Sequence, residues 1–330
     1  MLHSADVPRR IGVLCNPHSG HNRRHLAAIR RTAEQQAALF VYREATTPEA
    51  IVETLRALHA EGVELIAIAG GDGTLQAALT GLLRDLALPA EALPKLLVIA
   101  GGTTNMSAAD LGTRCQPPVA LARLAAWLEG RGPGPRSCSR PLVRLTLGRP
   151  AAAQYGLFFG SGAIQTGVDY FNERVRCGPV AGAWGPRLAF LRVTVSMLRG
   201  RPHPLLPAAP CRLVLDRDEV LEGRYLLVLV STLERLLLGS RPFWGEQAAP
   251  LHFTAVRYPP RALWRRLPAI LRGRGRQAVR DGEGYVSRNL TSLRLELDAG
   301  GILDGERFCA EPGEAIELSA TPAIDFLVFP

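Results

Sequence analysis

The chain has 330 residues, 47% of them apolar, and a formal net charge of +9. That much apolar material excludes disorder as the main state and suits about two domains, while the basic excess suits an anionic partner: nucleotide, nucleic acid or membrane headgroups. Lys95 is the only lysine and lies in Leu93-Pro94-Lys95-Leu96, so a G-x-x-x-x-G-K-[ST] phosphate loop is excluded and lysine Schiff-base chemistry nearly so.

Cys15, Cys115, Cys138, Cys177, Cys211 and Cys309 are scattered, with no C-x-x-C pair. This argues against structural zinc and a disulfide framework and for reduced thiols in a cytoplasm. Residues 1–10 lack the apolar core of a signal peptide. The longest apolar stretch, Tyr225 to Leu238, is broken by Glu234 and Arg235 and is too short to span a bilayer. The expectation is a cytoplasmic protein, soluble or peripheral to the inner face of the membrane.

In chain order, Ile11–Cys15 reads as a buried strand stopped by Asn16-Pro17. Residues 22–38 have helical spacing, Leu39–Tyr42 is a second strand, and Thr47-Pro48 opens a helix with Thr47 as N-cap. Leu65–Ala69 is a third strand, followed by Gly70-Gly71-Asp72-Gly73-Thr74 and a helix to Leu83. Leu96–Ala100 is a fourth, followed by Gly101-Gly102-Thr103-Thr104-Asn105. Alternating strands and helices imply a parallel sheet covered on both faces, with ligands bound beyond the carboxyl ends of its strands. The Gly- and Pro-rich run at 130–141 marks a boundary. Beyond it, short apolar runs at 142–147, 211–215, 225–230, 251–256, 293–297 and 315–318 imply a mostly antiparallel β domain, with helical inserts at 186–199 and 261–272.

The loop Gly70 to Thr74 is the sharpest local signal. Three glycines around one carboxylate let the backbone approach a ligand with its amides toward phosphate oxygens. The following helix N-terminus adds partial positive charge, and Asp72 is placed to hold Mg²⁺. An ordinary strand-to-helix turn also uses Gly and Asp. A dinucleotide fingerprint is excluded, because G-x-G-x-x-G needs Gly where Gln76 stands. Asn16-Pro17-His18-Ser19-Gly20 and Gly101 to Asn105 supply turn, hydroxyl and amide donors at the same sheet edge.

These motifs resemble the diacylglycerol kinase catalytic-domain family, which includes sphingosine, ceramide and bacterial lipid kinases. Its N-P-x-S-G, G-G-D-G-T, P-x-G-T-x-N-D and D-G-E segments match Asn16–Gly20, Gly70–Thr74, Ala100–Met106 and Asp304-Gly305-Glu306. G-G-D-G-T alone is shared with NAD kinases. The resemblance implies a nucleotide-binding α/β domain over 1–135 and a β-sandwich lipid-substrate domain over 136–319, with 320–330 open to return to the first. ATP and lipid would meet in the cleft between them. It implies ATP contacts from Asn16, Pro17, His18, Ser19, Gly20, Thr46 (or Thr47), Gly70, Gly71, Asp72, Gly73, Thr74, Leu75, Gln76, Gly102, Thr103 and Asn105, with Mg²⁺ at Asp72. Glu306 would be the general base, with Asp304 beside it and Asp72 completing the catalytic set. By themselves, Asp304-Gly305-Glu306 read as a hairpin turn.

Two departures stand out: Met106 replaces the family's Asp after Asn, and Gln76-Ala77 replaces Asn-Glu. The loss of two acids near the phosphates keeps a rival open: a weak or inactive binder of nucleotide and lipid, with a NAD kinase-like enzyme behind it. The segment 231–250 has no match to the acidic patch of some bacterial members, so no structural metal is expected. His21 and His25 share a solvated helix face, and Gly160-Ser161-Gly162 lacks nucleophile-elbow spacing. Arg261 to Arg280 holds seven arginines among Leu263, Trp264, Leu267, Ile270 and Leu271. It reads equally as an interfacial helix on anionic lipid and as a core-packed helix with a solvated face. With 6% aromatic residues and no reader motif, nucleic acid is not an expected partner. The oligomeric state is left open.

Overall fold

The computed structural model describes residues 10–113, 115–165, 210–279, 282–297, 300–311 and 313–329. The helix expected at 186–199 and Cys177 lie outside them. The first domain runs β1 (Ile11–Cys15), α1 (Gly20–Gln35), β2 (Phe40–Glu44), α2 (Pro48–Ala60), β3 (Leu65–Gly70), α3 (Asp72–Thr80), β4 (Lys95–Ala100), α4 (Met106–Leu111), β5 (Gly112–Thr113), α5 (Pro117–Leu128) and β6 (Arg136–Arg140). The remainder holds β7 (Val143–Leu147), β8 (Arg149–Gly156), β9 (Phe158–Gly162), β10 (Pro210–Leu215), β11 (Glu219–Ser231), β12 (Leu251–Arg257), α6 (Leu263–Leu271) and α7 (Gly275–Ala278). It ends with β13 (Tyr285–Leu290), β14 (Ser292–Leu297), β15 (Gly301–Leu303), β16 (Glu306–Phe308), β17 (Ile316–Ala320) and β18 (Ile324–Val328).

The first sheet has the order β2-β1-β3-β4-β18-β6, with β5 beside β4, and is parallel except at β6. Both faces are covered, because side chains alternate along each strand. Ile11, Val13 and Cys15 pack with Ile29 of α1 and with Leu121 and Leu124 of α5, whereas Leu14 packs with Leu55 and Leu58 of α2. The C-terminal strand β18 returns here, parallel to β4. So does β6, antiparallel to β18, which places the crossing into the second domain after Arg140. The composition of β6, Arg-Ser-Cys-Ser-Arg, is that of a polar edge strand, which hides it in the sequence.

The second domain is one antiparallel sheet curled on itself. The 13-residue β11 joins its halves. Glu219–Arg224 pairs with β10, and the stretch to Ser231 pairs with β9 and β12, with a bulge between Tyr225 and Leu227. The bulge bends and twists the strand. The curl encloses Val143, Phe159, Leu213, Val230, Phe253 and Leu295. A further apolar cluster crosses the seam between the domains, joining Leu75 and Leu79 of α3 to Leu157, Phe158, Leu229 and Ile302. Among the described residues no helix is long and apolar enough to cross a membrane.

Candidate active site

Parallel strands deliver their loops to one rim, and three of those loops interlock there. Asn16 Nδ2 donates to Thr74 Oγ1 at 3.0 Å, while Asn16 Oδ1 accepts from His18 N–H at 3.0 Å. The first loop is thereby tied to the Gly70–Thr74 loop and closed on itself. Gly101 N–H donates to Gly70 C=O at 2.9 Å, joining the second loop to the third. These two loops touch along bare backbone: a Cβ added at Gly102 would stand 2.5 Å from Gly71 Cα. Asn105, at φ 49°, accepts from Gly102 N–H at 2.7 Å and donates to Gly102 C=O at 2.8 Å. Thr103 is exposed at the tip, its hydroxyl near Gly20 at the start of α1.

Asp72 accepts from Met106 N–H at 3.1 Å and Ser107 N–H at 2.9 Å. It caps α4, where a carboxylate also meets the positive end of the helix dipole. The cap uses main-chain donors, so Met106 serves it as well as an Asp would. A carboxylate has about four acceptor sites, and Asp72 keeps the other two. Thr46 is exposed past β2, whereas the Thr47 hydroxyl is committed to Ala50 N–H as the N-cap of α2.

Leu75 and Gln76 point away from the rim. Leu75 is buried in the core, and Gln76, 4% exposed, donates to Thr80 Oγ1 and Gln154 Oε1 of β8. With Tyr155 N–H on Thr80 Oγ1 at 3.0 Å, these bonds seat α3 on the second domain. Of the predicted ATP contacts, the side chains of these two are therefore structural: helical geometry turns them from the loop into the seam.

Asp304-Gly305 forms a two-residue turn between β15 and β16, with φ of 49° and 95° and Leu303 opposite Glu306. The two acids part company at this turn. Asp304 is only 3% exposed and accepts from Leu157 N–H at 2.8 Å and Phe158 N–H at 3.0 Å. Burial, followed by the charge of Asp72, pushes its carboxyl well above the usual range, opposed by those two amides. It anchors the hairpin rather than standing beside Glu306 in the cleft. Glu306 is exposed, and its Oε1 would lie 2.7 Å from a Cβ added at Gly73. The late acid thus reaches the Gly-Gly-Asp-Gly-Thr loop across the cleft.

One clamp at the rim escapes a reading of the motifs. Asn22, fully buried in α1, donates through Nδ2 to Asn16 C=O at 2.9 Å and Ala69 C=O at 2.7 Å. Its N–H also reaches Gly101 C=O at 3.1 Å. It follows the first motif by two positions, and a polar residue on the buried face of a helix was the available signal. His21, expected on a solvated face, is half-buried and pairs through Nδ1 with Asn105 Nδ2 at 3.2 Å. Among the described residues no group of three or more His, Cys, Asp or Glu side chains is arranged to hold a metal ion.

Interlocked glycine loops at the carboxyl edge of a parallel sheet are thus faced by a carboxylate from the curled β domain. Residues 10–129 match the family model of the diacylglycerol kinase catalytic domain. The whole fold is similar to that of a candidate diacylglycerol kinase of Bacillus anthracis str. Sterne, at 17% identity and TM-score 0.66, covering 100% of this chain and 99% of the other. It is also similar to a diacylglycerol kinase structure from the same strain, at 14% identity and TM-score 0.61, covering 98% of each chain. No curated protein matches the chain.

Proposed function

We propose that the protein is an ATP-dependent lipid kinase that transfers the γ-phosphate to a hydroxyl of a diacylglycerol- or sphingoid-like acceptor. The observation that carries this reading is Glu306 reaching Gly73 from the opposite domain. A base on one wall and amide donors on the other are what in-line phosphoryl transfer requires. The rim around Gly20, Gly71, Gly73 and Thr103 holds the triphosphate. Glu306 accepts the proton of the lipid hydroxyl as its oxygen bonds to the γ-phosphorus and the bond to the β–γ bridging oxygen breaks, releasing ADP. Mg²⁺ commonly keeps several waters and takes one or two carboxylates plus phosphate oxygens. The remaining acceptor sites of Asp72 fit that mode, and a cation held there would supply charge neutralisation at the phosphates. The seam supports an apolar acceptor: Met106, Ile164, Leu227 and Phe243 are only partly buried against the shared cluster.

The second reading, a nucleotide and lipid binder without turnover, is favoured by Met106 and Ala77, where the family carries acids. A radiolabelled γ-phosphate transfer assay on a lipid extract, with mass spectrometry of the products, separates the two. The kinase incorporates label, and Glu306→Gln lowers incorporation by about 10²–10⁴-fold while ATP binding persists. Wild-type protein that binds ATP and never labels a lipid establishes the binder. Label on NAD with indifference to lipid overturns both.

A further inference from the structure

Three of the five large apolar side chains exposed among the described residues come from two adjoining segments of the second domain: Leu237 (42%), Leu238 (86%) and Trp264 (57%). Leu238 also adopts the left-handed conformation, φ 58°, which a leucine adopts at a cost and Gly or Asn tolerates. Exposure and backbone are both unfavourable in water, and neither serves the core. The loop carrying it runs from the cleft to α6. At one end Glu234 N–H donates to Asp110 Oδ2 of α4, the helix that Asp72 caps. In the middle Leu236 is buried with Phe158 and Leu229. At the other end Arg241 N–H donates to Leu271 C=O at 2.8 Å.

The apolar face of α6 is already used, since Leu263 and Ile270 are buried against Leu226, Val256 and Tyr285. The helix therefore does not lay that face on a bilayer. Its outward side carries Trp264, Arg265 and Arg272, with the Arg265 guanidinium 4.6 Å from the Trp264 ring centroid. Arg266 and Arg276 are paired with Glu283 and Glu246. Arg235, Arg241, Arg261, Arg265, Arg272 and Arg274 are exposed and have no carboxylate partner among the described residues.

We infer that this surface docks on an anionic lipid bilayer, with Leu237, Leu238 and Trp264 entering the headgroup–acyl boundary and the arginines meeting the phosphates. A short apolar insertion and a basic patch are the paired signals that hold a protein at such a surface. Its purpose, presenting the cleft to a membrane-borne acceptor, rests on the kinase reading; the docking itself does not.

The test is co-sedimentation of the full chain with vesicles of equal parts phosphatidylglycerol and phosphatidylcholine, and with phosphatidylcholine alone, without acceptor or ATP. Binding to the anionic vesicles only, weakened by salt, is expected. Leu238→Asp and the double variant Arg265→Glu/Arg272→Glu should each lower it about tenfold, and Val119→Asp, at an exposed position of α5, should leave it unchanged. The same variants are assayed for transfer to a short-chain acceptor in detergent micelles, where unchanged rates show an intact fold and site. Anionic binding that neither variant alters overturns the inference. A dimer that Leu238→Asp dissociates, without vesicle binding, overturns it in favour of self-association. Binding with the expected pattern but no transfer in any format leaves the docking standing and removes the kinase.

Discussion

The two walls of the cleft are secured in different ways. The rim of the first domain is a mesh: Asn16, Asn22 and Asp72 each bond to main chain or hydroxyl of a neighbouring segment, and Asn105 closes its own loop and meets the His21 ring. The opposite wall is one short hairpin that pairs with β9 through β15 and is pinned at its turn by one buried side chain, Asp304. A mesh spreads the cost of losing one strand of it, whereas a single anchor does not. The difference also separates roles within one tripeptide: Asp304 holds, and Glu306, two residues on, acts.

The largest stability effect should therefore come from the anchor. Asp304→Ala leaves the buried amides of Leu157 and Phe158 without acceptors, at about 1–3 kcal/mol each. Relief of the buried charge offsets part of that, so a loss of about 2–4 kcal/mol is expected by denaturant unfolding. Glu306→Gln, exposed, should leave stability unchanged. Equal stability of the two variants would dissolve the distinction between anchor and base.

Asn22→Ala tests the mesh. It removes a donor from the buried Ala69 carbonyl and from the part-buried Asn16 carbonyl, and about 2 kcal/mol should be lost. The Michaelis constant for ATP should rise more than the turnover number falls, because the loops that lose their clamp are those proposed to hold the phosphates. A variant that changes turnover alone would move Asn22 out of that role.

Gly73→Ala sharpens the comparison at the point where the walls meet. Alanine suits the first turn of α3 better than glycine does, and the atom its Cβ meets is the mobile end of Glu306. Stability should hold within about 0.5 kcal/mol while turnover falls roughly tenfold, since a displaced base is a misaligned one. Unchanged turnover would show that Glu306 works from another position.

How far the sequence discloses these walls follows from the same contrast. The rim is local: each loop follows its strand within a few residues, and the glycines, Asn16 and Asp72 announce close backbone approach. β1 to β4 are legible for the same reason, whereas β5 is only two residues long, β6 has a polar edge without an apolar signature, and β18 returns from the far end of the chain. The hairpin is remote. Asp304-Gly305 reads correctly as a turn, but that one acid is buried and the other exposed depends on β9, more than 140 residues away. The buried side of α3 misled the site reading at Gln76, since only the docked β8 supplies its partner Gln154. Asn22 leaves no motif because it clamps two loops and the end of β3 through main-chain groups, which leave no pattern of side chains.

The smallest effect is a pH dependence confined to the anchor. The carboxyl of Asp304 is raised in the fold by burial first and by Asp72 second. Below the ordinary carboxylate range, about pH 4, both folded and unfolded states bind the proton and the fold is undiminished. As pH rises, the unfolded state releases its proton first, so stability is lost until the raised value is passed. Asp304→Asn keeps one acceptor for the Leu157 and Phe158 amides and does not titrate. Thermal unfolding of the two proteins between about pH 4 and about pH 8 should therefore show the gap moving steadily in favour of the variant. A gap that stays constant would mean that the amides of Leu157 and Phe158 hold the carboxylate as well as water does, and the anchor would then belong with the mesh after all.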